Sequence, residues 1–147
     1  MLCREEGLAL SELAANPDLP LAGFGLFGIV KETGVDDQGL FDFTSFFSYP
    51  LYKDVNLDYY KALGNRKLSL PWNPWTLVKG FFYVRGIGKR LKTKNIEGNL
   101  IGEGLTKGGV IIFGKDKKAK YAYAEETGEE IPLEDILAAV EAVKRGM

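Results

Sequence analysis

The chain opens MLCREEGLAL, which sets its single cysteine, Cys3, beside a cation and two carboxylates, Arg4, Glu5 and Glu6. A thiol in that company suits redox or nucleophilic chemistry, because the thiolate is the reactive form and nearby charge sets how readily it appears. One cysteine excludes a disulfide within the chain, and the lack of any histidine removes the commonest general base and metal ligand. Ser-His-Asp and Cys-His catalysis and histidine-based zinc sites are therefore excluded, and no metal centre is expected. Arg4 and Glu5 read equally as a solvated helix face or as electrostatic neighbours of the thiol. Glu6 shares the cysteine's side of the helix, either as an amphipathic boundary residue or as a proton acceptor.

A second concentration of functional side chains lies further on. Lys79, Arg85, Lys89, Arg90, Lys92 and Lys94 accompany Phe81, Phe82 and Tyr83 in one short stretch. A basic, aromatic, amphipathic segment can lie on a membrane surface or approach a lipid, which makes Phe81, Phe82, Arg85, Lys89 and Arg90 candidate contacts. The same pattern also describes a helical insertion with a solvated basic face, anchored by Trp72 and Trp75. The glycines form no G-x-G-x-x-G between a strand and a helix, so no dinucleotide is expected to bind. Nineteen basic and twenty acidic residues give a net charge of −1, which favours no nucleic acid.

These residues need elements to carry them. The chain's 147 residues suffice for one domain that buries about two-thirds of its unfolded surface. Cys3, Leu10, Leu13 and Ala14 recur at helical spacing over 3–15, with Arg4, Glu5, Ser11 and Glu12 turned away, and Asn16-Pro17 ends that helix. LAGFGLFGIVK at 21–31 is apolar on both faces, as a parallel strand covered by helices is. A short helix is expected over 38–47, a short strand at 51–54, and a helix over 56–63 capped by Asn56 and stopped by Gly64. Helix follows from about Trp75 within a less regular insertion at 65–95. GGVIIFG at 108–114 and KYAYAEE at 120–126 read as an antiparallel hairpin. Pro132 opens a last helix whose buried face is Leu133, Ile136, Leu137, Val140 and Val143. Helices interspersed among strands make an α/β sandwich. A first helix with no strand before it is the anomaly, since a crossover unit has a strand on both sides.

A cysteine-led helix running into a parallel strand, with a later hairpin and terminal helix, resembles a thioredoxin-like fold begun one strand late. CREE at 3–6, YYKALGNRK at 59–67, GNLIGEGL at 98–105 and GGVIIFG at 108–114 resemble the peroxiredoxin-like 2 family, the selenoprotein U and prostamide/prostaglandin F synthase-like group. The similarity runs in order through nearly the whole chain, so 1–147 is expected to be one thioredoxin-like domain.

The resemblance implies a C-x-x-C or U-x-x-C motif just before R-E-E, in which Cys3 is the second, resolving member. The attacking residue would directly precede Met1, and with it the strand that delivers it, lying between 21–31 and 108–114. A UGA codon for selenocysteine read as a stop would account for a start at the next methionine. The implied activity is a thiol or selenol oxidoreductase reducing peroxides or lipid endoperoxides, with no cofactor bound and electrons from NADPH through a thioredoxin-type donor. Thr106-Lys107-Gly108 stands where thioredoxins place a cis-proline, which bears on donor contacts. A chain without its interior strand is expected to be poorly stable. The competing reading is a non-catalytic thioredoxin-like protein that binds a partner or a membrane through its basic segment. Cytoplasm is the default compartment, and any targeting segment would precede Met1.

Overall fold

The computed structural model describes residues 2–21, 23–31, 43–67, 74–96, 106–126 and 129–146. The first helix, α1, spans Leu2–Ala15. It ends where Asn16 Oδ1 accepts the Asp18 N–H at 3.0 Å, a local turn bond that competes with further helix. Glu5 and Ser11, expected on the outer face, are instead buried, at 6% and 7% exposure. Each has a partner that makes this tolerable: Arg90 and Lys94 hold the Glu5 carboxylate, and Ser11 Oγ accepts the Ser48 N–H at 3.2 Å.

The apolar run at 21–31 forms only three residues of strand, β1, Gly28–Val30. Its earlier half turns instead, with Phe24 N–H bonded to Leu21 O at 2.8 Å and Gly23 at φ 93°. β1 pairs parallel with β2, Leu51–Lys53, in the register Gly28↔Leu51 and Val30↔Lys53. Of the helix expected at 38–47, residues 38–42 lie outside the described residues; Phe43 and Thr44 are helical and Ser45 and Phe46 form a turn.

The next helix, α2, is Asp58–Ala62. Its cap is Asp54, not Asn56: the Asp54 carboxylate accepts the N–H groups of Asp58, Tyr59 and Tyr60 at 2.9, 3.0 and 3.3 Å. Leu57, in left-handed conformation at φ 58°, swings the chain so that a residue four positions back can reach the helix start. Gly64, at φ 86°, follows its end as expected.

The insertion carries α3, Pro74–Thr93, a 20-residue helix that begins at the proline as sequence suggests. Trp72 lies outside the described residues, as do the side chains of Trp75, Phe81 and Phe82. At the helix's far end Leu91 and Ile96 are buried, at 2% and 5% exposure.

The antiparallel hairpin is β3, Gly109–Phe113, with β4, Ala119–Ala124, and its register slips between Ile112 and Phe113. Gly109 is required there, because a Cβ would sit 2.0 Å from the Tyr123 carbonyl oxygen. The last helix, α4, is Leu133–Arg145, with Glu134 and Asp135 in its first turn and Lys144 and Arg145 in its last, each complementing the helix dipole. Leu13, Leu21, Ile112, Ile131, Ile136 and Val140 form the buried core, so α1 and α4 pack around the hairpin.

This is a mixed α/β arrangement consistent with a thioredoxin-like fold. Its described strands form two separate two-stranded sheets, β1–β2 and β3–β4. Among the described residues β1 and β3 thus each hydrogen-bond one neighbouring strand, where a strand has two edges.

Candidate functional site

Cys3 lies in the first turn of α1 and is exposed. The fold still crowds its sulfur: desolvation, then the charges of Glu125 and Glu6, push the thiol above its ordinary pKa. An activated, attacking thiol is the reverse case, with its pKa lowered by cations or a helix N-terminus.

Glu125 follows β4 and is buried at 8% exposure. The antiparallel pairing continues past the strand ends to place it: Glu125 N–H donates to Gly108 O at 3.0 Å, and Gly108 N–H donates to Glu125 Oε2 at 2.9 Å. Glu6 is half-buried on α1. Desolvation and the charges of Glu125 and Glu5 push its carboxyl up to about 8. Tyr60 of α2 reaches the same neighbourhood. Its hydroxyl accepts the Lys31 N–H at 3.1 Å, and burial raises its pKa, opposed by that bond and reinforced by Cys3, Asp54 and Glu125. Lys31 Nζ in turn donates to Thr106 Oγ1 at 3.0 Å.

The segment in the place of a cis-proline is built differently. The described residues contain no cis peptide bond. Thr106 pairs with Lys67 in an isolated antiparallel bridge, and Lys107 N–H donates to Arg66 O at 2.9 Å. Lys107 Nζ binds Glu126 Oε2 at 3.0 Å, and Arg66 holds the other oxygen of that carboxylate. The Lys107 charge is therefore directed at a carboxylate next to Glu125.

The remaining predicted residues are scattered relative to this cluster. Arg4 lies over the Phe46 ring at 4.9 Å from its centroid. Arg90 binds Glu5 through Nε and Nη2, both at 3.0 Å, which turns its guanidinium toward α1. Arg85 and Lys89 are exposed on α3, next to Val84 at 66% exposure. No group of three metal-ligating side chains occurs among the described residues, and no described helix is long and apolar enough to cross a membrane. Sequence reasoning missed Glu125, since nothing in AEET marks a glutamate as buried; the only available signal was its position just past a strand paired with GGVIIFG.

Between the two sheets lies a largely apolar cavity of about 420 Å³. Every residue from Gly108 to Lys115 lines it, as do Gly23 to Phe27 and Ile29. Side chains on one face of a strand alternate, so an uninterrupted lining means that the cavity runs along the β3 edge rather than under one face.

The family of AhpC/TSA antioxidant enzymes matches residues 9–127, a span that begins just after the Cys3 turn. The chain is 33% identical over 145 residues to prostamide/prostaglandin F synthase of Salmo salar, covering 95% of this chain and 68% of that protein. It is 32% identical over 149 residues to peroxiredoxin-like 2A of Gallus gallus, covering 97% and 60% respectively. Against prostamide/prostaglandin F synthase of Homo sapiens it is 32% identical over 142 residues, covering 93% and 67%. The chain thus spans between 60% and 68% of the length of these three relatives. No solved structure matches it. The chain belongs to the AhpC/TSA antioxidant enzyme family, in its peroxiredoxin-like 2 group. That group makes it a peroxiredoxin-like thiol oxidoreductase by class.

Proposed function

We propose that this chain is the body of an oxidoreductase that reduces peroxides or lipid endoperoxides, with Cys3 as the resolving member of a C-x-x-C or U-x-x-C motif. The observation that carries the reading is the Cys3 environment: an exposed thiol at the start of α1, held protonated by desolvation and two carboxylates. Such a group is poor at first attack and suited to resolution.

In this scheme the attacking thiolate or selenolate is the first member of the motif, three positions before Cys3. It attacks one oxygen of the O–O bond: a hydroperoxide leaves as an alcohol and gives S–OH (or Se–OH), whereas an endoperoxide opens to one free hydroxyl and stays attached through the other oxygen. Cys3 then loses its proton, attacks the oxidised partner and expels water or, from the endoperoxide adduct, the second hydroxyl of the diol, forming an intramolecular bridge. A thioredoxin-type dithiol, itself reduced from NADPH, exchanges with the bridge and restores both groups. The two relatives named for prostamide/prostaglandin F synthesis make a lipid endoperoxide the substrate class of first choice. The edge-lined cavity between β1 and β3 suits a further strand leading to the α1 start, as the same scheme requires.

The test extends the chain upstream with a strand-forming segment ending in cysteine and measures thioredoxin-dependent consumption of hydrogen peroxide and of an endoperoxide. Turnover is expected, and Cys3→Ser should limit it to a single oxidation. Absence of turnover in a folded extended chain sinks the reading; unaffected cycling of the Cys3→Ser variant sinks the resolving role. A second reading, peripheral contact of α3 with an anionic membrane, draws on exposed Arg85 and Lys89 beside Val84. Co-sedimentation with phosphatidylserine vesicles that disappears on charge reversal of Arg85 and Lys89 is its expected signature.

A further inference from the structure

The helix α3 presents two unlike faces. On the inner one, Arg90 and, just past the helix end, Lys94 both reach Glu5 of α1, Arg90 through two contacts of 3.0 Å and Lys94 Nζ at 2.6 Å. Lys94 Nζ also lies 2.7 Å from Glu130 Oε1, so this end of α3 is fixed both to the start of α1 and to the segment before α4. Half a helical turn away, Arg85, Lys89 and Lys92 follow one another at spacings of four and three, which stacks them on one outer face, and all three are exposed. Among the described residues none of the three is in an ion pair. The sequence of α3 contains no acidic residue. Gly86 and Gly88 beside the stripe have open space where a Cβ would stand, and Val84 on its flank is 66% exposed. By helical spacing positions 78, 81 and 82 continue the same face, and the sequence puts Val78, Phe81 and Phe82 there. One face of about 20 Å thus changes from apolar to cationic along its length.

We propose that α3 lies lengthwise on an anionic phospholipid bilayer. Its apolar first half enters the boundary between headgroups and acyl chains, and Arg85, Lys89 and Lys92 bind the headgroup phosphates, so that the first turn of α1 is held one helix width from the membrane. The inference deepens the peripheral contact of α3 by giving it a direction along the helix and an orientation for α1. Its use, bringing the thiol to a lipid substrate, rests on the oxidoreductase reading; the docking itself needs no redox partner.

Charge and apolarity on one face select the occupant. A nucleic acid or an acidic protein would match the three cations equally, but it gains nothing from Val78, Phe81 and Phe82, whereas a bilayer boundary takes both halves. The chain's net charge is −1, so attraction to an anionic surface depends on this local stripe rather than on overall charge. The bare backbone at Gly86 and Gly88 lets the helix approach a flat surface closely. Because Arg90 and Lys94 clamp the inner face to Glu5, a membrane on the outer face is separated from the start of α1 by about 10 Å, the width of α3 itself.

The experiment measures binding of the 147-residue chain to vesicles of phosphatidylcholine alone and of phosphatidylcholine with phosphatidylserine, by sedimentation and by tryptophan fluorescence. The chain's two tryptophans, Trp72 and Trp75, stand just before and within the first turn of α3, at its apolar end. The chain is expected to bind only the vesicles with phosphatidylserine, to release as salt rises, and to lose tryptophan emission when the acyl chains carry bromine. The triple variant Arg85→Gln, Lys89→Gln, Lys92→Gln is expected to bind about a hundredfold more weakly, at roughly fivefold per cation. A second triple variant, Lys115→Gln, Lys117→Gln, Lys118→Gln, removes the same charge from the hairpin turn and should bind nearly as wild type does. Equal losses in the two variants overturn the proposal, since net charge alone then governs binding. Binding without bromine quenching overturns it as well and leaves only the surface contact. Heparin binding without vesicle binding assigns the stripe to a soluble polyanion and overturns both. Failure of the oxidoreductase reading leaves all of these results unaltered, because none needs an attacking thiol.

Discussion

The Arg90 guanidinium grips both oxygens of the Glu5 carboxylate, each at 3.0 Å, across 85 residues of sequence. The carboxylate side chain is 7% exposed and the arginine 27%, so the pair sits well inside the surface and joins α3 to the first turn of α1. Removing Arg90 leaves a buried charge with Lys94 as its remaining cation. Arg90→Ala is expected to lower stability by roughly 2–3 kcal/mol in urea unfolding. Arg90→Lys should recover little of this, because an ammonium lacks the two-pronged geometry.

The proton balance of Glu6 gives the protein an unusual pH dependence. Its folded-state pKa, near 8, lies above the ordinary glutamate value of 4.5, so the folded chain holds a proton that the unfolded chain has released. Between those two values stability must fall as pH rises, by an amount on the order of 2 kcal/mol for a half-buried group. Glu126 and Glu130 have lowered pKa values, so their contribution is present above the ordinary carboxylate range and is lost only as pH falls through it. The melting temperature is therefore expected to be higher near pH 5 than near pH 8 on these shifts. Glu6→Gln should flatten that decline, and a wild-type melting temperature that climbs over the interval would contradict the assignment.

Asp54 does for α2 what a capping residue normally does from the adjacent position, accepting three backbone N–H groups while only 7% exposed. Asp54→Ala should cost about 1–2 kcal/mol and speed amide exchange at Asp58, Tyr59 and Tyr60. Asn56→Ala should leave those amides unchanged.

Two glycines predict effects of opposite sign. A Cβ on Gly109 would meet the Tyr123 carbonyl oxygen at 2.0 Å, a backbone atom that cannot move without opening the hairpin. Gly109→Ala is expected to cost about 3 kcal/mol or more. Gly86, within α3, has nothing within 4 Å of a Cβ, so Gly86→Ala should stabilise the chain by about 1 kcal/mol through helix propensity. Thermal unfolding of the two variants checks both.

The elements with strong periodicity were legible in the sequence. The spacing of Leu133, Ile136, Leu137, Val140 and Val143 located α4, and the alternation in KYAYAEE located β4, because burial on one face imposes those patterns. Pro74 marked the α3 start for an equally local reason. LAGFGLFGIVK misled because composition cannot register that Gly23 takes a left-handed turn and ends the extended run before Gly28. Asn56 misled because the true cap depends on the left-handed turn at Leu57. At the site, Cys3 and Glu6 were legible as helix neighbours. Glu125 and the Arg90–Glu5 pair were not, since each arises from segments brought together only by folding.

The two sheets share no hydrogen-bonded ladder among the described residues, while the buried core joins the hairpin to α1 and α4. The β1–β2–α2 portion meets the hairpin at one place, through Lys31 Nζ to Thr106 and, just past α2, the Lys67–Thr106 bridge and the Lys107 N–H bond to Arg66 O. Cooperativity follows the connections that must break together, so these portions are expected to behave as two foldons rather than one. The portion bearing Tyr60 is then expected to open first with the hairpin still closed, which would make access to the cysteine's surroundings a sub-global event instead of a whole-molecule one.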